Sequence, residues 1–205
     1  MEQIQRWDYF PSSIYSVDRP DFLESVRQVT DEQLQNKTFD EIYPVVMTDN
    51  FFADPRLAEF SKFVGENAWT ILKDQGYAMD NMMVTFTEMW TQEHRKHSLM
   101  EQHVHGFGSQ IVGFYFLDVP EGSSVLNFHD PRAGKVQINL PEQNGSIVTP
   151  ASNAITFVPK EGMMMFANSW LPHSFGRHSS DQALRFVHFN LTVSLNPNQS
   201  VAEVV

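Results

Sequence analysis

Two histidines separated by one residue, and a third one 70 residues after the first, are the part of the sequence best suited to chemistry. His103 and His105 lie in the segment 101–108, and His173 closes the segment 168–173. Alternate side chains of an extended chain share a face, so His103 and His105 can both face one metal ion. The chain has no cysteine, and nitrogen and oxygen ligands suit iron, manganese or zinc. His173 would complete a three-ligand site that leaves coordination positions open.

Two carboxylates near these histidines leave the ligand set open. Glu101 alternates onto the same face as His103 and His105, and Asp130 lies between them and His173 in the sequence. Either carboxylate can bind the metal itself or orient an imidazole from behind. The sequence therefore allows a three-histidine site, or a site in which a carboxylate takes the place of His105.

An arginine follows the third histidine by twelve residues. Arg185 opens the last major predicted strand, and a guanidinium can bind a carboxylate through two parallel hydrogen bonds. His188 alternates out of phase with Arg185, so we expect it to face away from the site. The remaining histidines are also expected outside the site: His94 and His97 in a charged, solvated loop, His129 in a partly exposed loop, and His178 in a polar turn.

The elements that must position these residues are mostly strands. From about Met82 onward, short apolar runs alternate with turn residues, and we predict strands at 82–90, 110–118, 125–128, 135–140, 146–149, 154–158, 163–167 and 185–194. Eight short strands at this spacing predict a mainly β fold, an antiparallel jelly roll (double-stranded β-helix). Such a fold would bring His173 back beside His103.

Helices are predicted in the first third of the chain. The clearest runs over 55–75, with Asp54 as its N-terminal cap and Gly76 at its exit, and a weaker one runs over 20–36 with a break near Thr30. Between them, 42–48 is predicted to be a strand. We expect one domain spanning 1–205: a helical part at 1–81 packed on the core, the jelly-roll core at 82–195, and a C-terminal tail at 196–205.

Composition narrows the classes of partner. The chain carries 14 Lys+Arg against 25 Asp+Glu, a formal charge of -11, which would repel a phosphate backbone. No nucleic-acid partner is therefore expected. Because no stretch approaches the ~20 apolar residues of a membrane span, and no apolar leader is present, we expect a cytoplasmic protein without a membrane partner. Composition gives no indication of oligomeric state.

The motifs between about Trp90 and Leu191 together resemble those of a known family. It is the H-x-H-containing group of 2-oxoglutarate- and Fe(II)-dependent oxygenases, a branch of the double-stranded β-helix superfamily. The resemblance is carried by His103-Val104-His105, Gly113-Phe114-Tyr115-Phe116-Leu117, Asp130-Pro131-Arg132, the segment 165–173 that ends in Trp170-Leu171-Pro172-His173, Arg185, and Phe189-Asn190.

This resemblance implies an enzyme that holds Fe(II) through His103, His105 and His173. It also implies that Arg185 binds a carboxylate of 2-oxoglutarate, with Tyr115 and Asn127 as further contacts. The reaction would decarboxylate 2-oxoglutarate to succinate and transfer an oxygen atom from O2 to a small-molecule or peptide substrate. Arg132 and Trp170 are the candidates for substrate binding.

The chain departs from the wider superfamily at one ligand. Where the superfamily has H-x-D or H-x-E, this sequence has His105. Three-histidine iron also occurs in cupin-like dioxygenases, so the alternatives are a dioxygenase or isomerase that does not use 2-oxoglutarate, or a jelly-roll binding protein without enzymatic activity.

Overall fold

The computed structural model describes residues 4–8, 10–106, 108–138 and 140–197. In this part of the chain, ten strands and two α-helices form the fold. The helices are α1 (Leu23–Leu34) and α2 (Ala58–Asp74). The strands are β1 (Ile14–Asp18), β2 (Val45–Met47), β3 (Met82–His94), β4 (Met100–His103), β5 (Ser109–Asp118), β6 (Leu126–His129), β7 (Ala154–Phe157), β8 (Met163–Asn168), β9 (His173–Phe175) and β10 (Leu184–Leu195).

The strands form two antiparallel sheets. The larger sheet has the order β1-β8-β5-β10-β3-β2, and the smaller has the order β4-β9-β6-β7. Their facing sides bury a mainly aromatic cluster that includes Phe114, Phe116, Phe128, Phe175 and Phe186. The predicted double-stranded β-helix is confirmed.

Both helices pack on the other face of the larger sheet. There, Tyr115 of β5 and Val187 and Phe189 of β10 are buried against helix residues such as Phe60 and Val64 of α2. Because successive side chains of a strand point to opposite faces, β5, β8 and β10 are apolar on both sides. The larger sheet is therefore the middle layer between the helices and the smaller sheet.

Both predicted helices are present. A single 3-10 turn at Pro55–Leu57 leads into α2, and the Asp54 carboxylate accepts a hydrogen bond from the Arg56 backbone N–H at 2.9 Å, as predicted for its cap. Helix α1 continues through Thr30, whose hydroxyl hydrogen-bonds to that of Thr91 at 2.8 Å. The predicted break near Thr30 is therefore wrong, because β3 satisfies its polar group.

The strand prediction fails in the region 130–150 and at three short strands. The predicted strand over 135–140 is wrong, since Ala133–Gln137 is a 3-10 turn, and the described residues at 146–149 form no strand. Strands β1, β4 and β9 were not predicted. Strands β1 and β2 are the two edge strands of the larger sheet. Among the described helices, none combines the length and apolar character needed to cross a membrane.

Candidate metal centre

Three histidines meet at one end of the smaller sheet. His103, the last residue of β4, lies directly opposite His173, the first residue of β9, with ring centroids 4.5 Å apart. His105 lies just beyond β4, where its backbone N–H donates to the Ser169 carbonyl at 2.9 Å. The His105 and His173 rings are parallel at 5.2 Å. One potential ligand atom of each histidine lies within 4.8 Å of the other two.

Backbone carbonyls orient two of the three rings. The Nδ1–H of His173 donates to the Leu171 carbonyl at 3.0 Å, and that of His103 donates to the Glu101 carbonyl at 2.8 Å. Because a carbonyl only accepts, Nδ1 carries the proton and Nε2 keeps its lone pair, the arrangement usual for metal-binding histidines.

Within the three-histidine cluster, Nε2 of His105 and Nε2 of His173 are buried without a hydrogen-bond partner among the described residues. Leaving a polar atom buried and unpaired costs about 1–3 kcal/mol. A ligand bound to each of these two nitrogens would remove that cost. Three imidazole nitrogen donors within reach of one another fit a divalent metal ion such as Fe(II).

Burial also sets the charge of the site. Burial, together with the neighbouring histidines, lowers the pKa of His173 to about 3 and that of His105 to about 4. Both imidazoles are therefore neutral at pH 7, and their lone pairs are free to bind a cation without first losing a proton.

The two carboxylates considered as alternative ligands lie outside this cluster. Asp130 accepts hydrogen bonds from Arg132 at 2.7 Å and pairs with Lys135 at 3.0 Å, and these cations hold its pKa well below the usual value. Glu101 is exposed on β4. In the described part of the chain, the ligand cluster consists of His103, His105 and His173 alone. The geometry therefore favours the three-histidine alternative.

Arg185 and Tyr115 lie on the wrong side of the larger sheet to reach the histidines. The guanidinium of Arg185 pairs with Asp118 and, at 2.5 Å, with Asp31 of α1. The Tyr115 hydroxyl donates to the Arg19 carbonyl at 2.7 Å, and its ring packs among the helix residues. The expectation that these two side chains bind 2-oxoglutarate is not supported, because both point toward the helices.

Asn127 also points away from the interior. It lies on β6 between Leu126 and Phe128, which are buried between the sheets, and its side-chain oxygen Oδ1 accepts a hydrogen bond from the Thr156 hydroxyl at 2.8 Å. It therefore lies on the outer face of the smaller sheet. His129, two residues on, shares that face and bonds to the Ser174 hydroxyl at 2.8 Å.

His188, unlike Arg185, lies beside the histidine cluster. Its ring centroid lies 4.6 Å from that of His105 and stacks on Trp90 of β3 at 4.4 Å, and the residue is 1% exposed. The prediction that His188 faces away from the site is wrong. Alternation along β10 could not reveal this, because residues on both of its faces are apolar.

Two further histidines are buried rather than solvated. His94 lies at the end of β3, 0% exposed, with Nε2 3.0 Å from the Gln92 side-chain oxygen. His178 is also 0% exposed, and its Nε2 donates to the Gln182 carbonyl at 2.7 Å. The prediction of a solvated loop at His94 is wrong, since His94 packs against Phe175 and Phe186. His178 lies outside the strands, as predicted, but it is buried.

The two residues predicted to bind substrate lie near the surface, in separate depressions. Arg132, paired with Asp130, lines a cavity of about 380 Å³. Phe128 and Leu171 line the same cavity and adjoin His173. Trp170, 48% exposed, lines a neighbouring depression. The structure does not bring Arg132 and Trp170 together.

The comparison with protein families identifies the class of protein that this fold and site define. A family model described as "Putative 2OG-Fe(II) oxygenase" matches residues 88–190, half of the chain. The chain belongs to this family, whose cofactors are Fe(II) and 2-oxoglutarate. No curated protein sequence matches the chain.

Solved structures share the fold at low sequence identity. SnoN, a non-haem α-ketoglutarate-dependent epimerase from nogalamycin biosynthesis, has a TM-score of 0.58 and 11% identity, over 91% of this chain and 79% of its own. HygX from Streptomyces hygroscopicus, solved with nickel and 2-oxoglutarate, has a TM-score of 0.58 and 10% identity, over 88% and 83%. The viral collagen prolyl hydroxylase of Paramecium Bursaria Chlorella virus-1 has a TM-score of 0.54 and 11% identity, over 87% and 94%.

Proposed function

We propose that this protein is a 2-oxoglutarate-dependent dioxygenase of the hydroxylase type in which His103, His105 and His173 bind the Fe(II). The observation that carries this proposal is that Nε2 of His105 and Nε2 of His173, within the three-histidine cluster, are buried with no hydrogen-bond partner in the described part of the chain. Membership of the oxygenase family supports the same assignment.

The bound iron and 2-oxoglutarate would supply the oxidising chemistry, and the protein supplies position and environment. Three neutral imidazoles leave the full charge of the metal uncompensated, which favours an anionic cosubstrate next to it. Phe114 and Phe128 pack beside His173 with ring centroids at 5.3 and 6.0 Å, and these aromatic walls exclude water from one side of the centre.

We further propose that a small-molecule or peptide substrate binds in the cavity lined by Arg132. Its walls reach His173 through Phe128 and Leu171, and the Arg132 guanidinium at its rim is 61% exposed and suited to an anionic or carbonyl group. Epimerisation, the reaction named for SnoN, depends on the same cosubstrate. Analysis of the product, hydroxylated or epimerised, separates these two reactions.

Anaerobic reconstitution tests the proposal. The protein is loaded with Fe(II), its iron content is measured, and 2-oxoglutarate is added while the visible charge-transfer band of the chelate is followed. We expect one iron per chain, appearance of the band, and succinate on admission of O2. His173→Ala should lose the iron, whereas His129→Ala, a histidine on the outer face, should keep it. Iron without the band would indicate a three-histidine metalloprotein that does not use 2-oxoglutarate.

A further inference from the structure

The interior of the jelly roll has no positive side chain beside the histidines. All 14 lysines and arginines lie in the described part of the chain. Twelve of them pair with carboxylates elsewhere, and Lys62 and Arg177 are exposed. A dicarboxylate bound to the metal through one end would therefore need neutral donors for its other end.

Unused donors lie next to the metal centre. Both ring nitrogens of His188 are buried without a hydrogen-bond partner among the described residues, and so is the indole N–H of Trp90. These two residues are cross-strand neighbours on β10 and β3, with rings stacked at an interplanar angle of 14°. A neutral imidazole carries one N–H, so this pair offers two donors to a single ligand.

The surroundings of His188 make the lack of a hydrogen-bond partner for its ring nitrogens energetically costly. His188 is enclosed by the rings of Trp90, Phe114 and His105 at 4.4, 4.9 and 4.6 Å, and none of these satisfies its nitrogens. Aromatic neighbours alone would select an apolar residue at this position. The histidine and the indole together therefore indicate a ligand that brings its own hydrogen-bond acceptors.

We propose that His188 and Trp90 bind the carboxylate of 2-oxoglutarate that is remote from the metal, in the role that the sequence suggested for Arg185. This assignment rests on the proposed function, because it takes 2-oxoglutarate to be the cosubstrate. A hydrogen bond to a charged group contributes about 1.5–3 kcal/mol, so the loss of one donor should weaken binding by about 10- to 100-fold.

Ligand binding under anaerobic conditions tests the assignment without turnover. The Fe(II) protein is titrated with 2-oxoglutarate and, separately, with pyruvate, which has the same keto acid end but no remote carboxylate. His188→Phe keeps a ring beside Trp90 and removes both nitrogens, and Trp90→Phe removes only the indole donor. Arg185→Met and His129→Phe are the matched controls, since both residues face away from the interior.

We expect His188→Phe and Trp90→Phe each to raise the Kd for 2-oxoglutarate by about tenfold or more while the Kd for pyruvate and the iron content stay unchanged. His188→Gln, which keeps a donor, should recover part of the affinity. The assignment is overturned if the His188 and Trp90 variants bind 2-oxoglutarate as the wild type does, or if Arg185→Met alone loses it. Wild-type protein that holds iron but binds no 2-oxoglutarate would overturn the proposed function as well.

Discussion

The substitution His105→Phe should change metal affinity and the stability of the metal-free protein in opposite directions. Residues that only orient a metal ligand change affinity by about 10- to 100-fold when they are replaced, so removal of a ligand nitrogen should cost at least about 100-fold. Without metal, however, Nε2 of His105 is buried and has no hydrogen-bond partner among the residues that the structure describes. A phenyl ring keeps the stacking against His173 and removes that atom, which should stabilise the metal-free protein by up to about 1–3 kcal/mol.

Two measurements check this prediction. Anaerobic calorimetry gives the Fe(II) affinity, and urea unfolding in the presence of a chelator gives the free energy of unfolding. Glu101→Gln and Asp130→Asn are the controls for the alternative ligand sets, and both should bind iron as the wild type does. The reasoning fails if His105→Phe keeps wild-type iron affinity while Glu101→Gln or Asp130→Asn loses it, because the third ligand would then be a carboxylate.

Two predictions concern the fold. A Cβ on Gly113 would lie 2.1 Å from the Phe189 ring and 2.7 Å from the Met165 backbone carbonyl. Gly113→Ala should therefore lower the free energy of unfolding by about 3 kcal/mol, whereas Gly65→Ala, with open space around it in α2, should not lower it. Equal urea midpoints for the two variants would contradict this prediction. Burial lowers the pKa of His94 to about 4, so between pH 6.5 and 4 the unfolded chain binds a proton that the folded protein does not. Stability should therefore fall on acidification by about 1.4 kcal/mol per pH unit from this residue, and His94→Gln should remove that part of the loss; parallel curves for the two proteins would refute it.

The three metal-binding candidates could be predicted from the sequence because their signal is local. His103 and His105 alternate onto one face of an extended segment, and that relation survives whether β4 ends at residue 103 or 105. His173 follows β8, a strand with a clear apolar run, and the return of the chain in a jelly roll places it beside β4. Strands β4 (Met100-Glu101-Gln102-His103) and β9 (His173-Ser174-Phe175) contain no run of apolar residues, so they were missed.

The orientations of Arg185 and His188 could not be predicted, because they depend on which face of β10 meets which layer. Leu184, Phe186 and His188 of β10 face the smaller sheet, while Val187 and Phe189 face the helices. Since both sets are apolar apart from single exceptions, the alternation of hydrophobic residues does not distinguish inside from outside.

The ion-pair partners of Arg185 show which face of β10 points toward the helices, which the pattern of apolar residues does not. Arg185 is 19% exposed, and its guanidinium ties β10 to Asp118 of β5 and to Asp31 of α1, while Arg27 of α1 also pairs with Asp118 at 3.0 Å. Two arginines and two acidic residues thus join the first helix to the middle of the larger sheet. To turn Arg185 toward the metal would bury its charge among Phe186, Phe116 and Phe175 and leave Asp31 unpaired. Successive side chains of β10 point to opposite faces, and His188 lies three residues after Arg185. With Arg185 at the helix interface, His188 therefore faces the three-histidine cluster.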